Sequence, residues 1–185
     1  ENEFHIYGDF IVHSRQLRLE SHYKDKGKVI KINGVPCRRL SDYVGTVNVV
    51  FFSPDDLVIV KGGPGERRKF LDLHIAQHNS KHIRVLNSYN KVLQQKNALL
   101  KHGQGNIKSH LELWNEQILE YGSQIIRSRW EFTNLLAQEA KEIYKNISLG
   151  KEEFTMEYQA LGKDDVEKAL AEFPVLLEEK MPLEI

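Results

Sequence analysis

A single cysteine, Cys37, is present in 185 residues. A lone thiol excludes an internal disulfide, so a reducing compartment, the cytoplasm, is the expected setting. No apolar run approaches the ~20 residues that a membrane-spanning helix needs, and no signal-peptide pattern opens the chain. No membrane association is expected. An excess of one charge is missing too: 26 basic residues balance 26 acidic ones. That argues against a protein that coats nucleic acid along its whole surface, and leaves room for a local basic patch. The eight histidines and the cysteine show no metal-ligand spacing, so no metal is expected.

Catalytic motifs are absent as well. A phosphate-binding loop needs G-x-x-x-x-G-K-[ST], because its lysine reaches the outer phosphates and its hydroxyl holds magnesium. Here Gly27-Lys28, Gly150-Lys151 and Gly162-Lys163 run on into Val29, Glu152 and Asp164, none of which carries a hydroxyl. There is no G-x-G-x-x-G after a strand pattern, no G-x-S-x-G elbow, and no nucleophile–base or paired-carboxylate arrangement. No catalytic or cofactor-binding residue is assigned, and a self-contained hydrolase is set aside. The chain opens Glu1-Asn2-Glu3 without methionine and stops at Pro182-Leu183-Glu184-Ile185, which reads as a piece of a longer protein.

What is present predicts an α+β fold in three parts. Residues 1–52 read as antiparallel β. Phe4, Ile6 and Phe10 to Val12 suggest one strand, and Leu17, Leu19 and Tyr23 alternate in a second. Asp25-Lys26-Gly27 turns into Val29–Ile32, and Asn33-Gly34 is a strong hairpin signal. Val47 to Phe52 is nearly continuously apolar, which suits a strand buried on both faces.

Residues 53–148 read as a helical arm. Ser53-Pro54-Asp55-Asp56 carries a helix start, Gly62-Gly63 stops it, and Pro64 opens a second helix to about Gln77. A third runs from Ser80 to Lys101, with Ile83, Leu86, Tyr89, Leu93 and Leu100 on its apolar face. After Gly103-Gln104-Gly105-Asn106, the expected tip, Ile107, Leu111, Trp114, Ile118, Tyr121 and Ile125 alternate by four and three residues; Ser128 interrupts, and Phe132 and Leu135 resume the phase. That is an a/d seam on a long helix. About 33 Å of helix before the tip cannot cover about 60 Å after it. The helix from Pro64 makes up the difference, giving a three-helix antiparallel arm. Trp114 and Trp130 are expected in the seam or core. Residues 149–185 supply a return strand, Phe154 to Tyr158, in one sheet with the first β part. A helix capped by Asp164, with Glu167 in a capping box, follows and should end or kink at Pro174.

The stretch from Ser53 to Asp72 holds the densest chemistry. Gly63-Pro64 puts free backbone N–H groups at a helix start, which attracts anions. Arg67 and Arg68 in the first turn oppose the helix dipole; either they pair with Asp55, Asp56 or Asp72, or they face a phosphate. Lys61, Arg67, Arg68 and Lys69 are the candidate DNA-binding or interdomain residues. The basic hairpin residues Lys24, Lys26, Lys28 and Lys31 read as a solvated face.

Pro54-Asp55, Gly62-Gly63-Pro64, Arg67-Arg68 and Phe70-Leu71-Asp72 together resemble, in identity and spacing, the signature of the bacterial RecF recombination family. The resemblance extends more loosely over Tyr89 to Leu100 and nearly the whole chain. It implies an intact ABC-type ATPase with an SMC-like head, into which the helical arm is inserted. It implies ATP and magnesium as cofactors of the intact protein, ATP-dependent self-dimerisation, DNA at single-strand gaps or duplex–single-strand junctions, and RecO and RecR as partners in loading RecA. The P-loop, ABC signature and Walker B acids are not in this sequence, so no ATPase activity is expected of it alone. The alternative is a helical module that docks a protein partner without touching DNA.

Overall fold

The computed structural model describes residues 3–12, 14–25, 27–48, 50–102 and 107–184. Four strands form an antiparallel meander in sequence order: β1 (Glu3–Val12), β2 (Arg15–Lys24), β3 (Gly27–Ile32) and β4 (Val35–Pro36). β1 and β2 pair over their full lengths, from Glu3 opposite Lys24 to Val12 opposite Arg15. Alternation puts Phe4, Ile6, Phe10, Leu19 and Tyr23 on one face; the Phe4 and Tyr23 rings stack at 5.1 Å, and Leu19 is buried. The β3–β4 turn is the expected Asn33-Gly34 pair. Both residues have positive φ (50° and 81°), as a type I′ turn requires. Asn33 also fastens the turn to β2, its Oδ1 accepting from Arg18 N at 2.7 Å and its N–H donating to Arg18 O at 2.8 Å. In the Asp25-Lys26-Gly27 turn, Lys26 lies outside the described residues.

A 3₁₀ turn at Pro54–Leu57 leads into one helical turn, α1 (Val58–Lys61), followed by α2 (Pro64–His78), α3 (Lys81–His102), α4 (Ile107–Ile147) and α5 (Val166–Glu184). α2, α3 and α4 pack on one another as the expected three-helix unit, and α5 packs on α4. The expected tip, Gly103 to Asn106, lies outside the described residues. Val92 of α3, Ile118 and Ile126 of α4, and Ala160, Val166, Ala169 and Phe173 form one buried cluster, with Trp114 and Trp130 packed against it. Gly122 lets α5 approach: a Cβ there would lie 2.7 Å from Phe173 Cε1. Lys96 is buried where α3 meets α4, and its Nζ donates to Asn115 Oδ1 at 2.9 Å.

Four expectations need correction. Val47 to Phe52 is not a buried strand. Its described residues carry no strand, and Val50, Phe51 and Phe52 are 89%, 80% and 77% exposed. β propensity alone makes no strand without a ladder; β4 is only two residues long and Pro36 cannot donate. Phe154 to Tyr158 keeps its alternation of half-buried and exposed residues but joins no sheet. Its inward side chains pack on helices instead: the Phe154 ring sits 5.5 Å from Tyr144, and Tyr158 packs on the core cluster.

The long seam does not resume in phase after Ser128. Leu135 is 63% exposed, while Ile126 and Thr133 are buried, as a 3.6-residue period drifts away from a strict heptad. The cap of α5 is Asp165 rather than Asp164, its Oδ1 accepting from Glu167 N at 2.9 Å and Lys168 N at 3.1 Å. Asp164 accepts instead from Gln159. Of the two outcomes expected at Pro174, an end or a kink, the helix does not end there: α5 runs on through it. The proline deprives the Leu170 carbonyl of its donor, and the neighbouring Phe173, buried against α4, holds the helix in place.

Candidate functional site

The stretch from Ser53 to Asp72 folds as two helix starts around a bend. Ser53 N–H donates to Asp56 Oδ2 at 2.6 Å, and Asp56 N–H returns to Ser53 O at 3.0 Å, with Pro54 at the first helical position. The chain then leaves α1 through Gly62 and Gly63, both extended, into Pro64 at the start of α2. Gly62 is sterically required, because a Cβ would come within 2.5 Å of Val58 O. Pro54, Asp55 and Gly63 are exposed elements of this bend.

The four basic residues divide. Arg67 pairs with none of the three aspartates. Its guanidinium donates to the carbonyls of Ile59 (3.0 Å), Val60 (3.3 Å) and Gly62 (3.5 Å). The placement resolves the dipole conflict seen in the sequence: Arg67 is a cation near the start of α2, yet it occupies the C-terminal end of α1, where cations are favoured. Arg68, Lys61 and Lys69 are exposed and form no hydrogen bond or ion pair with any described residue.

Phe70 and His74 meet edge to face at 4.3 Å, and burial pushes the His74 pKa down. Asp72 points the other way, into the helical unit. Arg129 of α4 donates to both of its oxygens, Nε to Oδ1 at 2.8 Å and Nη2 to Oδ2 at 2.7 Å, while His82 Nε2 of α3 lies 3.0 Å from Oδ1. The three side chains are 18%, 14% and 2% exposed. Burial pushes the Asp72 carboxyl up, but hydrogen bonds from His82 and Arg129 and their charges outweigh it and hold its pKa below the usual value. Burial likewise works against the Arg129 cation; Asp72, and then Tyr158, overcome it and raise its pKa. One carboxylate thus ties α2, α3 and α4 together, and the segment carrying Tyr158 adds to the tie.

Sequence reasoning missed Arg129, His82 and Tyr158. The one available signal was the polar interruption of the seam at Ser128, next to Arg129. Beside this cluster a cleft of about 690 Å³ opens between Ile59, Arg67, Arg68 and Leu71 on one side and Thr133 and Met156 on the other. The Thr133 hydroxyl is buried there without a hydrogen-bond partner among the described residues. Those residues include no cluster of His, Cys, Asp or Glu able to hold a metal ion, and no helix among them is long and apolar enough to cross a membrane.

The chain is 72% identical over 188 aligned positions to the DNA replication and repair protein RecF of Desulfitobacterium hafniense (strain DSM 10664 / DCB-2), matching 100% of this chain and 52% of that protein. It is 38% identical to the RecF of Agathobacter rectalis over 86% of its own length and 45% of the relative's. Among solved structures, the recombination mediator protein RecF-ATPrS in the RecFOR pathway superposes with a TM-score of 0.85 at 29% identity, over 100% of this chain and 51% of that one. No family model matches. The chain spans about half the length of the relatives it matches.

Proposed function

Because this chain belongs to the RecF family of DNA replication and repair proteins, we propose that it supplies the DNA-contacting junction of a recombinational repair ATPase. In this reading residues 1–52 belong to an ATPase lobe, 53–148 form the arm, and 149–185 lead back from it. The intact protein binds ATP and magnesium, dimerises on ATP, and meets DNA at single-strand gaps in the cytoplasm. It works there with RecO and RecR to load RecA. This chain alone does not hydrolyse ATP. The observation that carries the reading is the charge at the bend: Lys61, Arg68 and Lys69 stand exposed with no described partner, while Arg67 and Asp72 of the same signature are engaged internally.

Binding of a gapped duplex at several salt concentrations tests it. Each neutralised phosphate contributes about 0.9 to the slope of log K against log salt. Arg68→Gln with Lys69→Gln should therefore flatten the slope by about two. An unchanged slope and affinity would falsify the contact.

One observation favours the alternative of a protein-docking arm. Leu135, Ile143 and Ile147, at helical spacing along α4, are 63%, 58% and 74% exposed. A partner held there would bind with little dependence on salt and would be lost on Ile143→Glu.

A further inference from the structure

We propose that Arg129 is a positioning residue for Arg68: by occupying both oxygens of Asp72, it keeps Arg68 free to face an anion. The inference rests on the reading of the bend as a DNA-contacting surface and names what prepares that surface.

Arg68 and Asp72 are four residues apart on α2, so they lie on one helix face within ion-pairing reach. Helical side chains lean toward the N-terminus, so the turn that carries Arg68 and Lys69 is the part of α2 nearest to an Asp72 carboxylate that lost its present partners. In an isolated α2 the two would attract each other, weakly in this order. Here the pair is open. Arg129 holds the carboxylate through two parallel bonds of 2.8 and 2.7 Å, and His82 sits 3.0 Å from one of the same oxygens.

The competition has a physical outcome. Arg129 is a planar fork anchored on the long helix, 14% exposed and further held by Tyr158, so little freedom is lost on pairing. An Arg68–Asp72 contact would instead order an exposed arginine in water for a small return. Arg129 therefore keeps the carboxylate, and Arg68 lines the neighbouring cleft with no described partner.

Without Arg129 the balance reverses. A mostly buried carboxylate would be left with His82 alone, which is costly. The cations able to replace Arg129 are Arg68 and Lys69 on α2, and only Arg68 offers a fork. Arg68 would turn inward and leave the exposed surface.

The test combines two readouts on the 185-residue chain. Binding of a gapped duplex is measured against salt for the parent, Arg68→Gln, Arg129→Met and the double variant Arg129→Met with Asp72→Asn. The side-chain Nε–H signal of Arg68 is followed by ¹⁵N NMR without DNA. Arg68→Gln and Arg129→Met should each flatten the salt slope by about one. Neutralising Asp72 in the double variant should restore the slope, an outcome that mere loss of structure would not give. In Arg129→Met the Arg68 Nε–H should shift and exchange with solvent several-fold more slowly, and return to the parent position in the double variant.

An Arg68 signal unmoved by Arg129→Met, or a double variant no better than the single, overturns the proposal. Arg129→Lys, which keeps the charge and loses the fork, gives the same changes in weaker form and serves if the methionine variant does not fold. If Arg68→Gln leaves the slope unchanged, the DNA reading fails by itself, and the NMR arm still decides whether Arg129 positions Arg68.

Discussion

The two halves of α4 solve the same packing problem in different ways. Before Ser128 the helix meets α3 through an apolar stripe, with Leu111, Ile118 and Ile125 exposed by 0%, 4% and 4%. After it, the corresponding face carries Arg129 and Thr133, and the contact to α2 runs through Asp72. An apolar seam is non-directional and tolerates some adjustment of angle. A forked ion pair holds only in one geometry. The difference implies that the α3–α4 half supplies most of the stability, whereas the Arg129 half sets the orientation of the bend.

The largest expected effect lies in the seam. Leu111 is fully buried, so Leu111→Ala should cost about 3 kcal/mol through lost transfer energy and a residual cavity. Urea unfolding should show the loss nearly unchanged across pH and salt. A loss under about 1 kcal/mol would mean that the seam relaxes easily and does not dominate stability.

Asp72→Asn tests the other half and should cost about 2 kcal/mol at neutral pH, since it leaves Arg129 partly buried and poorly compensated. The dependence on pH separates the two halves. The folded pKa of Asp72 is depressed, so its contribution is complete above the unfolded carboxylate value of about 4 and is lost as pH falls through the folded value. The gap between parent and Asp72→Asn should therefore hold from neutral pH down to about 4 and then close, while the gap for Leu111→Ala stays open. A parent–Asp72→Asn gap that does not change with pH would show that the pair contributes through shape alone.

The seam was legible in the sequence and the clamp was not, for reasons that can be read from single residues. Ile107 to Ile125 repeat along one helix, and periodicity is a local property. Asn33-Gly34 was legible because its backbone geometry is chosen by the two residues themselves. Arg129 and Asp72 are 57 positions apart, and no local rule links them. Arg127, two residues before Arg129, pairs with Glu167 of α5 at 2.9 Å, so neighbouring arginines on one helix serve different partners. Arg67 was legible as a residue in conflict with the α2 dipole, but its partners, the end carbonyls of α1, required knowing how sharply Gly62-Gly63 bends. Val50 to Phe52 misled because apolar composition reports a preference for pairing and cannot supply the partner strand.

Gly122→Ala gives a smaller, purely steric effect on the seam side. The added Cβ would meet Phe173 at 2.7 and 2.9 Å and Tyr89 at 3.4 Å. Phe173 is buried and cannot swing clear, so about 1–2 kcal/mol of overpacking is expected. Phe173→Leu should recover part of that loss when the two are combined, and the coupling would be absent if α5 were loosely held.

The smallest effect has the opposite sign and sits in the second half of α4, one turn beyond Arg129. Thr133 follows Arg129 by one helical turn, is 3% exposed, and has a hydroxyl with no partner among the described residues. Thr133→Val keeps the branched shape and removes the desolvated hydroxyl, so it should raise stability by up to about 1 kcal/mol. The gain would add apolar packing one turn beyond Arg129 without touching Asp72. A gain in urea midpoint, with the Asp72 pH dependence intact, would end the polar stretch of this face at Arg129. A loss of stability would show instead that the hydroxyl does find a partner in solution, and that the polar half of α4 continues at least one turn farther along the cleft.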